Sequence, residues 1–380
     1  MNKIEKQKVF YKGKRMERRL FLKGATLIAS SAVIAPNLLV ANSNMYRFGI
    51  TKDTRVFSVE NTFNLEVNNQ VAKLWVPLPL NSDYQKVLDI SYEGDFDEAF
   101  ISNDNPYNTR LVYAKWNKNS KSRKMKVKFT VSMSERSVNL DLATKSFTFP
   151  SEVQEFIKGT AHTPISKIIT NFVYTIVDKK DTPLQKSQKI FDWTVSNMYR
   201  DEKVLGCGVG DATRILTEKL FGGKCTDVSS IFVALLRNAG IPAREIFGIR
   251  AGSSKISKSC GKSDAKGFAK ITGGQHCRAE FYLNGIGWVP ADPADVTKVM
   301  KQEKRDFNDK KIQNLKKYFF GNWEMNWVAF NYARDFVLNP KPAQYPLNMF
   351  GYPYAEMDDD VVDYYDAKNF SYKYTSQERL

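Results

Sequence analysis

Histidine and cysteine are scarce in this chain, whose 380 residues include two histidines and four cysteines. No two cysteines form a Cys-x-x-Cys pair, and four are too few to act as a disulfide scaffold for a chain of this length. A bridge between Cys207 and Cys260 is conceivable, but the sequence does not decide it. Any couple between a cysteine and a histidine must use His162 or His276. Internal repeats and calcium-loop motifs are also absent, which excludes an EF-hand type of calcium site.

The first 43 residues have the pattern of an export signal. Arg18 and Arg19 precede the tripeptide Phe-Leu-Lys, and a moderately apolar stretch follows from residue 24 to residue 41. This arrangement resembles the twin-arginine signal, although Glu17 stands where serine or threonine is usual. The resemblance implies the twin-arginine export machinery as a partner, cleavage after Ala41 or Ser43, and a periplasmic location. The alternative is an uncleaved membrane anchor, because a stretch of about 18 residues is barely long enough to span a bilayer.

The charge of the chain argues against a nucleic-acid partner. Nine basic and two acidic residues lie in residues 1–41, so the formal net charge falls from +16 to +9 without them. The remaining lysines are scattered among acids, and their densest run, residues 117–128, has the pattern of a hairpin with a protected edge strand. The charge therefore supports no more than a weak preference for anionic partners.

Hydrophobic periodicity divides the rest of the chain near residue 150. Four segments between residues 44 and 150 alternate or run apolar between Asn-, Asp-, Gly- and Pro-rich breaks, which is typical of a β-sandwich. Helical periodicity at 165–177, 183–199 and 225–239 is then followed by three strand-like segments. The sequence predicts an α+β fold: a β-sandwich-like domain at 44–150, helices packed on an antiparallel sheet at 151–305, and an extension at 306–380 that packs on this core. The Ser-, Gly- and Lys-rich segment 253–274 predicts a mobile surface loop.

Cys225 stands at the predicted start of a helix. Apolar residues recur at three- and four-residue steps from 228 to 239, and Gly240 and Pro242 end the pattern. The pair Gly222-Gly223 is a poor helix interior, which puts the first turn near Cys225. Unpaired N–H groups and the helix dipole there favour a thiolate and lower the cysteine pKa below its free value of about 8.5. The alternative interpretation is a small buried hydrophobic residue.

His276 begins a strand whose two faces are easily separated. In residues 276–283 the apolar positions alternate with polar ones, so His276 and Arg278 share one face and Cys277 lies on the other. A buried, inert role is therefore predicted for Cys277. Opposite faces for His276 and Cys277 also make a zinc site from the cysteines and His276 a poor hypothesis.

Asp292 is the candidate third member of a catalytic triad with a cysteine and a histidine. A Cys–His pair needs such a group to orient the imidazole. A two-residue turn at Asn284-Gly285 would put Asp292 on the wrong face of the hairpin. A turn that is one residue longer would place Asp292 opposite Arg278 and diagonal to His276. We therefore predict a bulge or a longer turn between residues 283 and 288. The alternatives for Asp292 are a salt bridge to Arg278 or a turn cap with Pro293.

The order of these residues resembles the transglutaminase-like superfamily. The segment GGKCTDVSSIFVALLRNAGIPAR is similar to the family's nucleophile motif, and QHCRAEFYLNGIGWVPADPA is similar to its second motif. The resemblance maps the nucleophile to Cys225, the base to His276 and the orienting acid to Asp292. It implies a papain-like attack on an amide or ester carbonyl, with the Cys225 N–H in the oxyanion hole. The second oxyanion donor stays open among Gln275, Trp288 and the helix of Trp193.

The resemblance implies an exported cysteine hydrolase that acts on a peptide or protein of the cell envelope, with no cofactor and no metal ion. An amine-accepting transglutaminase, a non-catalytic binding module, and binding to the envelope through the β-sandwich are the alternatives. The segment GCGVGD at 206–211 lacks the spacing of a dinucleotide loop and is predicted to form a wall of the cleft. Two minor hypotheses are His162 as the base and a regulatory disulfide between Cys207 and Cys225.

Overall fold

The structure of the protein is a computed structural model that describes residues 49–379. The predicted export signal at residues 1–43 lies outside the described residues. None of the helices in the described part has the length and apolar character that crossing a membrane requires.

Strands make up most of the regular structure in this range. In chain order they are β1 (Gly49–Asn64), β2 (Ala72–Pro77), β3 (Gln85–Gly94), β4 (Glu98–Ser102), β5 (Leu111–Trp116), β6 (Lys124–Ser137), β7 (Tyr199–Arg200), β8 (Gly222–Gly223), β9 (Ala243–Arg250), β10 (Phe268–Lys270), β11 (Gln275–Leu283), β12 (Gly287–Ala291), β13 (Asn322–Trp323), β14 (Trp327–Asn331), β15 (Arg334–Phe336), β16 (Leu347–Met349), β17 (Tyr354–Met357), β18 (Asp360–Val361) and β19 (Tyr372–Arg379). The α-helices are α1 (Lys167–Val173), α2 (Pro183–Asn197), α3 (Ala212–Thr217), α4 (Cys225–Asn238), α5 (Pro293–Gln302) and α6 (Lys310–Tyr318).

Two antiparallel sheets form the N-terminal region. One has the order β10-β19-β1-β6-β13, with β3 also paired to β6, and the other has the order β18-β17-β2-β5-β4. Alternate side chains of β1, such as Phe57 and Val59, face a hydrophobic cluster that also contains Leu74 and Val76 of β2. Burying one face of each sheet in a common layer gives a sandwich.

The C-terminal segment completes both of these sheets. β17 and β18 extend the five-stranded sheet through β2, and β19 pairs with β1 over eight residue pairs from Val56↔Arg379 to Phe63↔Tyr372. Other C-terminal elements contact the core, since α6 packs on α5 and β14 pairs with β9. The sheets therefore combine strands from both ends of the described range, and the domain boundaries at residues 150 and 305 stay predictions.

The core is a sheet of order β12-β11-β9-β14 covered by α4 and α5, and α2 packs against these two helices. Helix α4 is buried along its whole length, and Ile231, Phe232 and Leu235 are fully inaccessible. Each such side chain contributes about 1.5–3 kcal/mol by leaving water. The predicted α+β class, with a strand-rich region before a helix-and-sheet core, is confirmed.

The predicted mobile loop at 253–274 is only partly a surface feature. Cys260 is fully buried, and its carbonyl accepts hydrogen bonds from Arg250 Nη1 at 2.6 Å and from Asn326 Nδ2 at 3.0 Å. β10 within the same segment pairs with β19. The prediction of a mobile surface loop is wrong for this part of the segment. Its composition is polar, but its backbone is buried by contacts with residues that are distant in the sequence.

Candidate active site

Cys225 is the first residue of α4 and is almost completely buried. The parallel pair β7–β8 brings the chain to the helix start, and the Asp227 carboxylate accepts hydrogen bonds from the N–H of Lys224 and of Gly210, both at 2.9 Å. The N–H of Thr226 donates to the Cys207 carbonyl at 2.9 Å. These contacts hold the 206–211 loop against the first turn of the helix and place Cys207 beside Cys225.

Gly208→Ala is expected to destabilise the protein by about 2 kcal/mol, because two costs coincide at this position. Its φ of +89° is unfavourable for alanine, and a Cβ atom would lie 1.9 Å from Asp227 Oδ2. Denaturant unfolding measures the loss. Gly273→Ala is the matched control, since a Cβ there meets no atom within 4 Å. Equal midpoints for the two variants would contradict this account of the loop.

The hairpin of β11 and β12 has the register that the position of Asp292 requires. Leu283 pairs with Gly287 and Ala279 pairs with Ala291, so the turn has three residues and the prediction of a longer turn is confirmed. His276 Nε2 lies 2.8 Å from Asp292 Oδ2. A one-residue change of register would have turned the carboxylate to the opposite face.

The Asp292 carboxylate also serves both structural roles that were considered as alternatives. Its Oδ1 caps α5 by accepting a hydrogen bond from the N–H of Asp295 at 2.9 Å. Its Oδ2, which contacts His276, lies 3.2 Å from Nε of the buried Arg278. One oxygen thus starts the helix, and the other contacts the imidazole and a buried guanidinium. The cap fixes the carboxylate in place, which orients His276.

Asp295 and Arg250 form a second buried charged pair that the sequence analysis did not identify. Both oxygens of Asp295 bind the guanidinium of Arg250, one of them at 3.0 Å, and Asp295 Oδ1 lies 3.6 Å from His276 Nε2. A sequence signal for Asp295 was available. If Asp292 is the N-cap of a helix, Asp295 follows in the first turn on the same side of that helix as Asp292.

The surroundings move the titration of His276 and Cys225 in opposite directions. Burial and Arg250 act to lower the pKa of His276, but Asp292 and Asp295 outweigh them, so its pKa is raised. Hydrogen bonds from the thiols of Cys207 and Cys277 lower the pKa of Cys225 well below its ordinary value, and His276 lowers it further. A thiolate and an imidazolium are therefore favoured together between the two values.

Comparisons with known proteins agree with this arrangement. Residues 170–293, which include all three predicted site residues, match the model of the transglutaminase-like superfamily. An uncharacterized protein of Haemophilus influenzae is 44% identical over 366 residues, which are 92% of this chain and 99% of that protein. The chain belongs to the transglutaminase-like superfamily. Membership places it in a general family of cysteine hydrolases and transferases.

A solved structure shares the fold at low sequence identity. A crystal structure of a candidate cysteine protease from Cytophaga hutchinsonii superposes with a TM-score of 0.52 and 16% identity, covering 86% of this chain and 99% of that chain. The periplasmic domain of TgpA from Pseudomonas aeruginosa gives a TM-score of 0.33 and 12% identity, over 68% of this chain and 92% of that one.

In this member of the superfamily, a cavity of about 300 Å³ lies at the predicted triad. The lining residues come from the 206–211 loop, the β7–β8 segment, β11, α5 and the C-terminal segment: Arg200, Gly206, Cys207, Lys224, Cys225, Arg250, Thr272, Gly273, Gln275, His276, Ala294, Asp295, Lys298, Tyr352, Tyr365, Ala367 and Tyr372. The prediction that the GCGVGD segment forms a wall of the cleft is confirmed for its first two residues.

Of the three candidates for the second oxyanion donor, only Gln275 lines the cavity. Its Nε2 is buried and has no hydrogen-bond acceptor within the described residues. Trp288 packs instead against Phe156 and Tyr282, and Trp193 packs against two phenylalanines away from the cavity.

Three sulfur atoms lie together at this site, although the sequence predicts an inert Cys277. The Sγ atoms of Cys207, Cys225 and Cys277 are within 4.8 Å of one another, and all four cysteines of the chain are free. Hydrogen bonding with Cys225 raises the pKa of Cys207, and burial raises that of Cys277. Both neighbours therefore favour the thiol form over the thiolate, and the Cys207 thiol donates to the Gln275 carbonyl at 3.5 Å.

Two groups of side chains in the described range have the spacing of metal ligands. One is the sulfur cluster, and the other is His276, Asp292 and Asp295. A metal needs thiolates or uncompensated carboxylates, whereas two of the three sulfurs favour the protonated form, and Arg278 and Arg250 already contact the carboxylates. We therefore assign no metal to either group, and the expected absence of a metal ion stays a prediction.

His162 belongs to a different part of the surface. Its ring Nδ1 contacts Asp335 Oδ1, and its backbone N–H donates to Asp335 Oδ2 at 2.9 Å. It does not line the Cys225 cavity. The geometry therefore favours His276 over His162 as the base.

Proposed function

We propose that the protein is a cysteine acyl-transfer enzyme that hydrolyses a peptide or amide bond through a thioester on Cys225. The observation that carries the proposal is the buried Cys225–His276–Asp292 arrangement at a cavity, with the pKa of the thiol lowered and that of the imidazole raised. A buried cysteine with a purely structural role would instead have its pKa raised by burial, as Cys260 does.

In the proposed reaction, the Cys225 thiolate attacks the carbonyl carbon and forms a carbon–sulfur bond. The N–H of Cys225, which has no acceptor among the described residues, and the Gln275 carboxamide stabilise the oxyanion. The His276 imidazolium donates its proton to the leaving amine as the carbon–nitrogen bond breaks, which gives a thioester. Neutral His276 then takes a proton from a water molecule as the water oxygen bonds to the thioester carbonyl carbon. The carbon–sulfur bond breaks, which releases the acid and restores the thiolate and the imidazolium.

Acylation of the purified protein by p-nitrophenyl acetate tests the reaction class. We expect a rapid burst of p-nitrophenolate, and peptide mass spectrometry should find the acetyl group on Cys225. Cys225→Ala should show neither. Adding a primary alkylamine separates the outcomes: acetate as the main product supports hydrolysis, whereas an acetylated amine would support a transglutaminase. No acyl-enzyme in the wild type would overturn the proposal in favour of a binding module.

Gln275→Met is expected to lower the rate of ester hydrolysis about 100-fold, because one oxyanion donor is removed while the side-chain length is kept. Alkylation of Cys225 by iodoacetamide should continue at the wild-type rate, since displacement of iodide forms no oxyanion. Gly273→Ala, another change in the cavity lining, should leave both rates unchanged. Equal losses of hydrolysis and alkylation in Gln275→Met would show that Gln275 instead supports the position of Cys225.

We also propose a periplasmic location and a peptide or protein substrate of the cell envelope, on the basis of the twin-arginine pattern at residues 18 and 19. Fractionation of cells that express the full chain, with and without both arginines changed to lysine, tests the route. Periplasmic protein that is lost in the lysine variant supports it, and unchanged fractionation contradicts it.

A further inference from the structure

The side of the Cys225 cavity formed by α5, the end of β9 and the β7–β8 segment is strongly cationic. Arg200, Lys224, Arg250 and Lys298 line it, whereas Asp295 is the one carboxylate among the lining residues that the structure describes. This concentration of charge differs from the rest of the chain, where basic residues are mixed with acidic ones.

Three of the four cations already have carboxylate partners. Arg250 is held by both oxygens of Asp295. Arg200 donates to Glu202 at 3.1 and 3.2 Å, and Lys224 Nζ lies 3.9 Å from the same carboxylate. Two carboxylates therefore compensate three cations, and a positive excess remains before Lys298 is counted.

Lys298 has no such partner. It lies one turn after Ala294 and Asp295 on the same face of α5, and all three side chains line the cavity. Within residues 49–379 its ammonium group makes no hydrogen bond and no ion pair. Burial lowers the pKa of Lys298 and Arg250 lowers it further, whereas Asp295 acts in the opposite direction without reversing the shift. The charged form is therefore held there at a cost that a bound anion would offset.

We propose that Lys298 provides an anion-binding subsite beside Cys225, and that the acyl donor carries a carboxylate close to the carbonyl that Cys225 attacks. This inference rests on the proposed function and names its substrate class as acidic peptides. The tyrosines at 352, 365 and 372 line the same cavity and offer apolar contact surface for the remainder of such a substrate.

The ratio of Cys225 alkylation by iodoacetate to that by iodoacetamide measures this subsite without a known substrate. Both reagents transfer a two-carbon group to sulfur and release iodide, but only iodoacetate carries a carboxylate. Both alkylation rates are proportional to the fraction of Cys225 that is thiolate. Their ratio therefore does not depend on the pKa of Cys225. With 2-mercaptoethanol as the neutral reference thiol, we expect the ratio in the protein to exceed the reference about tenfold.

Substitutions on α5 test whether Lys298 causes the preference for iodoacetate. Lys298→Met, which keeps the length of the side chain, should lower the ratio several-fold toward the reference value, and Lys298→Arg should retain most of the preference. Lys301→Met is the matched control, because this exposed lysine lies outside the cavity. The subsite is overturned if iodoacetamide labels Cys225 readily but the ratio in the wild type equals that in Lys298→Met. If neither reagent labels Cys225, the proposed function itself fails, and the subsite assignment fails with it.

Discussion

His276→Ala is expected to lower ester hydrolysis about 10³-fold, because the variant loses both the proton donor for the leaving group and the cation that stabilises the thiolate. Cys225 alkylation by iodoacetamide should also change its pH dependence. In the wild type the lowered pKa of Cys225 keeps the reaction fast below the ordinary thiol range, and we expect the variant to be at least about tenfold slower near pH 6.

The sign of this shift follows from the contacts of the sulfur. Removal of an imidazolium raises the pKa of Cys225, so the acid limb of the rate profile moves to higher pH. The shift should be incomplete, because Cys207 and Cys277 still lower the pKa of Cys225. In the wild type the alkaline limb of hydrolysis reports His276, whose raised pKa extends the active range upward.

His162→Ala is the matched control for this experiment, since the chain has no other histidine. It removes the contact with Asp335 and should leave both profiles unchanged. Activity that survives in His276→Ala but disappears in His162→Ala would reverse the assignment of the base.

Asp292→Asn is expected to reduce the free energy of unfolding by about 3 kcal/mol and to reduce hydrolysis by at least about 10²-fold. Asparagine keeps the shape and can still cap α5, so the loss reports the charge. Besides Asp292, the buried Arg278 contacts the Glu324 carbonyl at 3.2 Å and the faces of Trp327 at 4.7 Å and Trp323 at 5.6 Å. Its charge would then be almost uncompensated in the interior.

Urea unfolding and a pH–rate profile test the two effects separately. Because Asp292 raises the pKa of His276, the variant should also move the alkaline limb of hydrolysis to lower pH. Asp309→Asn is the matched control, because Asp309 caps α6 by accepting from the N–H of Lys311 at 2.8 Å and lies outside the cavity. Its cost should be clearly smaller than that of Asp292→Asn. Equal stability losses in both variants would assign Asp292 a capping role alone.

The local pattern of residues was sufficient to predict the elements that carry Cys225 and His276. The apolar stripe from 228 to 239 and the glycines before Cys225 predict the helix and its start, and α4 runs from Cys225 to Asn238. Alternation in residues 276–283 predicts β11. The required register even predicts the longer turn, since only one of two pairings brings Asp292 to His276.

Contacts between distant segments could not be predicted in the same way. The sulfur of Cys277 joins that of Cys225 because the first turn of α4 packs over β11, with Thr226 Oγ1 3.1 Å from Cys277 Sγ. Side-chain alternation assigns a residue to a face but does not say which element covers that face. The pairing of Arg250 with Asp295 depends on the same kind of information, because β9 and α5 meet only in the folded core.

The sequence by itself determined the family, the three predicted site residues and the class of fold, because each depends on short-range patterns of polarity and on motif spacing. The tertiary structure decided what surrounds the thiolate: two neighbouring thiols, a second buried charged pair, and at the cavity a Lys298 without an ion pair. These features arise where residues 200, 207, 250 and 298 converge, and their interaction energies depend on distance and burial. Neither quantity can be read from residue order before the chain has folded.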